Sequence, residues 1–204
     1  MKNISLHHTT SLYYEILCKL ILECVENIKL KLCDRPDLQN ENVEIEVTSA
    51  FPRGYDQAIA LMQKGCVIEG KLKNAEYVNT INMPGFLKRP EKECIHWNPF
   101  PSLNYIIDAV RNKVDKISNY NNFVELNLFV FTDNIFEEKE AIKNLVEKII
   151  ENNDGQFNII YLLYLTFILK INCVSHVYRK IGINNFKELD DKAIELENSY
   201  INGN

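Results

Sequence analysis

NFVELNLFVFTDNIFEEKEAIKNLVEKIIENNDGQFNIIYLLYL, residues 122–165, holds two apolar runs separated by an amphipathic segment. NFVELNLFVF has the β-branched and aromatic content of a strand. TDN then supplies a turn, with Thr132 and Asp133 as ordinary capping residues. FEEKEAIKNLVEKIIENN carries its acids early and its lysines later, as the dipole of a helix favours. FNIIYLLYL is apolar without alternation, the pattern of a strand buried on both faces. A strand, a helix and a strand at this spacing predict a crossover unit whose two strands run parallel.

Working toward the N-terminus, PSLNYIIDAVRNKVDKISNY predicts a helix with Ile106, Val110, Val114 and Ile117 on one stripe and Arg111, Lys113 and Lys116 on the other side. The stretch from about 80 to 100, INMPGFLKRPEKECIHWNPF, mixes prolines, charges and aromatics without periodicity and reads as a long, substrate-facing loop. VIEGKLKNAEYV fits helix or extended chain. YDQAIALMQKG predicts a short helix with Ala58, Ile59 and Met62 inward and Gly65 past its end. VEIEVTSAF alternates Val43, Ile45 and Val47 with Glu44, Glu46 and Thr48, the two-residue period of a strand. A turn at QNEN connects it to the extended IKLKLCDRPDL. SLYYEILCKLILECVEN predicts an amphipathic helix over 11–26, capped by Thr10 or Ser11, with Glu15, Lys19, Glu23 and Glu26 on its polar face. Beyond the opening stretch, FKELDDKAIELE predicts a short helix before an unstructured SYINGN end. The order predicts an α/β fold, a three-layer α/β/α sandwich around a mixed central sheet. Its core spans about 11–165, and a helical extension follows from about 170 to 204.

Composition bounds the function. A chain of 204 residues, 46% hydrophobic and 25% charged, is long enough for one core. Its formal charge of −5 exerts no global pull on nucleic acid or acidic membranes, so a polyanion must be held by a local patch or a metal. The most apolar stretch, Phe157 to Leu169, falls short of the roughly 20 residues a bilayer span needs. No signal peptide is evident at MKNISLHHTTSLYY. The six cysteines form no C-x-x-C pair, which fits reduced thiols in the cytoplasm. Cys94 and His96 make a weak case for a metal. The cationic groupings that can meet phosphates are Lys88, Arg89 and Lys92, with Arg111, Lys113 and Lys116. Trp97, beside His96, can stack on a base.

The acids of VEIEVTSAF raise the chemical question. Alternation alone makes Glu44, Glu46 and Thr48 the wet face of a half-exposed strand. In an α/β sandwich, however, helices cover both faces of a central strand. Asp37 precedes this strand at a distance that lets an adjacent strand bring its carboxylate beside that of Glu46. Two converging carboxylates are stable in a cleft only with a cation between them. Oxygen ligands on a rigid strand pair suit Mg²⁺, or Mn²⁺, which polarises a phosphoryl oxygen and activates a bound water.

The same residues resemble the signature of the PD-(D/E)XK nuclease-like, or restriction endonuclease-like, superfamily. Pro36-Asp37 matches its PD, and Glu46-Val47-Thr48 its (D/E)-x-K triplet. The resemblance implies a core of helix, three-strand meander, helix and strand. It implies Asp37 and Glu46 as metal ligands, with an acid from the first helix, Glu15 before Glu23. Thr48 departs from the pattern, because a hydroxyl cannot carry the charge of the family's lysine. The repairs are Lys64 or Arg53 reaching in from the following segment, Gln57 positioning water or phosphate, or a register in which Glu46 itself takes the lysine place. The implied activity is a cytoplasmic, prokaryotic, metal-dependent DNA endonuclease. Its partner is nucleic acid, DNA above all, with no membrane and with a homodimer left open. Two alternatives stand beside it: a nuclease fold that binds nucleic acid or protein without catalysis, and an acidic interaction protein of unrelated α/β fold in which Asp37 and Glu46 lie far apart.

Overall fold

The computed structural model describes residues 11–34, 36–51, 67–68, 71–72, 86–89, 94–97, 103–117, 125–132, 139–164 and 166–203. The chain divides into two compact units, one of Met1–Thr9 with Phe51–Ser102 and one of Thr10–Ala50 with Leu103–Asn204.

The larger unit is α/β. Among the described residues it holds a seven-stranded mixed open sheet and four helices. Helix α1 (Ser11–Val25) leads to the short strands β1 (Lys31–Leu32) and β2 (Leu38–Gln39) and then to β3 (Glu44–Ser49). These three pair antiparallel in order as a meander. Asn40 makes the turn: its Oδ1 accepts the backbone N–H groups of Asn42 and Val43, each at 2.9 Å. Later in the chain come helix α2 (Leu103–Ile117), strand β8 (Leu126–Thr132), helix α3 (Lys139–Asn153) and strand β9 (Ile159–Tyr164). Strand β8 lies between β3 and β9 and is parallel to both. The predicted crossover is therefore present.

Two asparagines pin the start of that parallel pair. Asn158 Oδ1 accepts the Leu126 N–H at 3.0 Å, and Asn127 Oδ1 accepts the Ile159 N–H at 2.9 Å. Between α3 and β9 the chain reverses through Asp154 and Gly155, both at positive φ. Asn153 clamps that turn by exchanging hydrogen bonds with both backbone groups of Phe157.

Helical side chains cover both faces of the sheet. On β8, Leu126, Leu128 and Val130 join a buried cluster with Ile106 and Val110 of α2 and Leu145 and Ile149 of α3. The alternate residues Phe129 and Phe131 point the other way, where Phe131 meets the Tyr14 ring of α1 at 4.7 Å between centroids. This double burial is why the sequence of the central strands is apolar without alternation.

The C-terminal part differs from expectation. Strands β10 (Phe167–Asn172) and β11 (Val177–Gly182) extend the sheet antiparallel beyond β9, where helix was expected from about 170. The apolar stretch Phe157 to Leu169 doubles back between β9 and β10. Helix α4 (Phe186–Asn202) continues through the tail expected to be unstructured, and closes on Gly203 at φ 69°. It gains its order from α1: the Tyr13 hydroxyl donates to the buried Asp190 carboxylate. Among the described residues no helix is long and apolar enough to cross a membrane.

The smaller unit holds a four-stranded antiparallel sheet in the order β4-β5-β7-β6, of β4 (Val67–Ile68), β5 (Lys71–Leu72), β6 (Phe86–Arg89) and β7 (Cys94–Trp97). Within VIEGKLKNAEYV, Val67–Ile68 and Lys71–Leu72 are paired extended chain. The stretch expected as a loop contains the hairpin strands β6 and β7, with His96 opposite Leu87 and Trp97 opposite Phe86. The side chains of these strands, the helix expected over YDQAIALMQKG, Lys92 and the Asp133 cap lie outside the described residues.

Candidate functional site

Strand pairing brings the two acids of the motif together. The β2–β3 ladder sets Gln39 opposite Glu44 and Leu38 opposite Ile45. One step further along the same register places Asp37 opposite Glu46, and directly opposed residues share a face of the sheet. The ladder stops there, at Pro36, and the Asp37 side chain takes over as acceptor: its Oδ2 receives the Val47 N–H at 2.6 Å. That bond locks the Asp37 carboxylate against β3.

Glu46 is not on a wet face. Its side chain is only 4% exposed, covered by α2, and its Oε2 accepts a hydrogen bond at 2.6 Å from Lys113 Nζ. The same ammonium lies 3.8 Å from Asp37 Oδ2, with both of those side chains about a fifth exposed. One cation therefore serves two carboxylates. The rival that needed these acids far apart lacks its geometric premise.

Glu15 of α1 completes the acidic side. Burial pushes its carboxyl above the ordinary range, and the charges of Asp37 and Glu46 push it further, while Lys113 pulls it back. Burial likewise raises Asp37; the Val47 N–H and Lys113 oppose the rise and Glu46 adds to it. Glu44, next along the face, is raised by burial and then by Glu46. Its Oε2 is buried without a hydrogen-bond partner among the described residues. Glu23, the second choice from α1, is elsewhere: its Oε1 accepts from Lys19 Nζ at 2.8 Å and from the Leu30 N–H at 3.0 Å. It ties off the end of the helix.

Thr48 is half-buried on β3, two residues beyond Glu46 and on the same face. Arg53, Gln57 and Lys64 lie outside the described residues. Among the described residues the cation that reaches the acids is Lys113, which the sequence reading placed with Arg111 and Lys116 on the side of the helix away from its apolar stripe, as a grouping able to meet phosphates. Lys113 instead turns inward to the buried Glu46. Arg111 and Lys116 are exposed, and Arg111 lies 3.8 Å from Asp108. A signal for Lys113 was present: it stands seven residues after Ile106 and three after Val110, on the apolar stripe itself. A lysine at a core-facing position needs a buried acid.

The donor set is chemically suited to a hard cation. Asp37 and Glu46 offer carboxylate oxygens to one point, Glu15 stands near enough to feel both charges, and Glu44 holds an unsatisfied buried oxygen alongside. Two carboxylates with waters are what Mg²⁺ takes. Among the described residues no group of three or more His, Cys, Asp or Glu side chains stands in metal-holding geometry. No family model, no curated protein and no solved structure matches the chain.

Proposed function

We propose that this protein is a metal-dependent nuclease of the restriction endonuclease-like kind, hydrolysing DNA phosphodiester bonds. The observation that carries the reading is the convergence of Asp37, Glu46 and Lys113 on one point, although Lys113 and Glu46 are 67 residues apart in the chain. An acid pair and a lysine are the components implied by the resemblance, and Lys113 replaces the cation that Thr48 cannot be. The order α1, meander β1–β2–β3, α2 and β8 supports the same reading, as does the helical cover on both sheet faces, which a three-layer sandwich requires.

In this proposal Asp37 and Glu46 hold Mg²⁺ or Mn²⁺, with Glu15 as the third acid. The ion supplies Lewis acidity toward the phosphoryl oxygen and a water of lowered pKa. The chain's own part is orientation. The Val47 N–H fixes Asp37, β3 fixes Glu46, and the Lys113 ammonium stands beside them as a donor to an anionic phosphate oxygen. The free thiols Cys18, Cys24, Cys33 and Cys173 accord with a cytoplasmic setting.

A second reading keeps the fold without catalysis. The observation favouring it is Lys113 itself, which already balances the acid pair with no metal. One experiment separates the two: Mg²⁺-dependent cleavage of duplex and single-stranded DNA by the wild type, Asp37→Ala, Glu46→Ala and Lys113→Met. The nuclease reading expects cleavage by the wild type, none by the acid variants, and a loss on the order of 10²–10³-fold in Lys113→Met, the usual effect of deleting one charge-stabilising donor. Equal activity in all four refutes it. No cleavage and no divalent-ion binding by the wild type supports the binding module.

A further inference from the structure

We infer that Lys113 is a displaceable internal counter-ion: its ammonium occupies the point between Asp37 and Glu46 that a divalent cation would take, and must leave before the pair can bind one. The inference rests on the nuclease reading and deepens it to regulation of the same site.

The geometry makes Lys113 and a metal mutually exclusive. Lys113 Nζ lies 2.6 Å from Glu46 Oε2 and 3.8 Å from Asp37 Oδ2, so it contacts the oxygens that both carboxylates would offer a metal. Two cations cannot share oxygens this close in a partly desolvated pocket, where like charges repel strongly. Lys113 is able to move where its partners are not. Its four-carbon stem has several rotatable bonds and its head is about a fifth exposed, whereas Asp37 is held by the Val47 N–H and Glu46 is buried on a central strand. The carboxylates thus stay preorganised while the cation between them is exchanged. Before substrate arrives, the chain's own ammonium supplies the charge that keeps the acid pair from repelling itself. Once displaced, that ammonium is left beside the carboxylates, where it needs a new anion. By linkage, an anionic phosphate that draws Lys113 away raises the affinity for the divalent ion, and the ion raises affinity for the phosphate by the same factor.

The test is metal binding without substrate, by titration calorimetry with Mn²⁺ on the full chain. Lys113→Met removes the charge at similar length, and Lys113→Gln, a second variant, retains a hydrogen-bond donor should the first fail to fold. Both are expected to bind Mn²⁺ roughly ten- to a hundredfold more tightly than the wild type, the equivalent of the charge-assisted hydrogen bond no longer in competition. In the wild type, lysine side-chain NMR is expected to show the Lys113 ammonium shift toward a solvated lysine as Mg²⁺ is added. Measurable binding of equal or lower affinity in the variants overturns the counter-ion and leaves the metal site standing. No binding by the wild type or either variant overturns the metal site, and the inference falls with it.

Discussion

Removing the Lys113 charge should cost stability, and most of that cost should disappear once Glu46 is replaced by glutamine. The Lys113–Glu46 contact is a 2.6 Å hydrogen bond between charged groups, with side chains 20% and 4% exposed. Breaking a fully buried ion pair from one side costs about 3–5 kcal/mol, because a charge is left uncompensated. Water reaches the lysine end here, which lowers the expectation for Lys113→Met to about 2–3 kcal/mol, in line with a charge-assisted bond of about 1.5–3 kcal/mol. In a Glu46→Gln background only the 3.8 Å contact with Asp37 remains to be lost. At that separation and exposure it is worth up to about 1 kcal/mol. The coupling between the two positions is then about 1–3 kcal/mol. For a chain of this length the Lys113→Met loss lowers Tm by about 5–10 °C, which leaves the variant folded at 25 °C. Urea and thermal denaturation of the wild type, both single variants and the double variant, in the presence of chelator, measure the cycle. Equal loss from Lys113→Met in both backgrounds would falsify the claim that this ammonium is anchored by Glu46.

Other outcomes follow from contacts away from the site. Tyr13→Phe leaves the buried Asp190 without its hydroxyl donor and should destabilise by about 1.5–3 kcal/mol in denaturant, with α4 becoming the first segment cut in limited proteolysis. Asp190→Asn keeps an acceptor for Tyr13 and should cost less; an equal cost in both removes the argument for that bond. Leu128→Ala, at a fully buried position of β8, should cost about 2–5 kcal/mol in the same assay. Burial pushes the Cys173 thiol from an ordinary 9.0 up to about 11, against a backbone hydrogen bond with Ile160 that acts the other way. Because the folded value is the higher, its contribution to stability is complete below 9.0 and is lost as pH rises through about 11. Cys173→Ala should therefore flatten the alkaline end of the Tm profile. Iodoacetamide at mildly alkaline pH should label the exposed Cys24 and spare the buried Cys18, as read by mass spectrometry.

Much of the larger unit was legible residue by residue. Helix α1, strands β3, β8 and β9 and helices α2 and α3 each carry a period or an apolar run set by which faces are buried, so local pattern located them. Strands β10 and β11 were not legible for the opposite reason. Tyr164 to Phe167, where the chain reverses, holds no Gly, Pro, Asn or Asp to mark a turn, and β11 lies at a sheet edge with mostly exposed side chains, leaving no periodic signature. The extent of α4 was missed because its last turn, Ser199 to Asn202, leaves Tyr200 and Ile201 exposed, so no buried stripe carries the helical period to its end. The pairing of β4 to β7 escaped for want of length, since two of those strands have only two residues each.

For the candidate site, the sequence by itself determined the acids. Pro36 ends a ladder, a turn at Asn40 sets the register, and alternation on β3 puts Glu46 on the face that Asp37 also shares. These are short-range consequences of backbone geometry. The partner cation was decided only by the tertiary structure. Whether an ammonium on α2 meets a carboxylate on β3 depends on how a helix packs across a sheet, and nothing in the spacing between residues 46 and 113 encodes that approach. Electrostatics supplies the reason it is kept: a buried carboxylate pair requires a positive charge, and the packing of Ile106 and Val110 against β8 carries Lys113 to it.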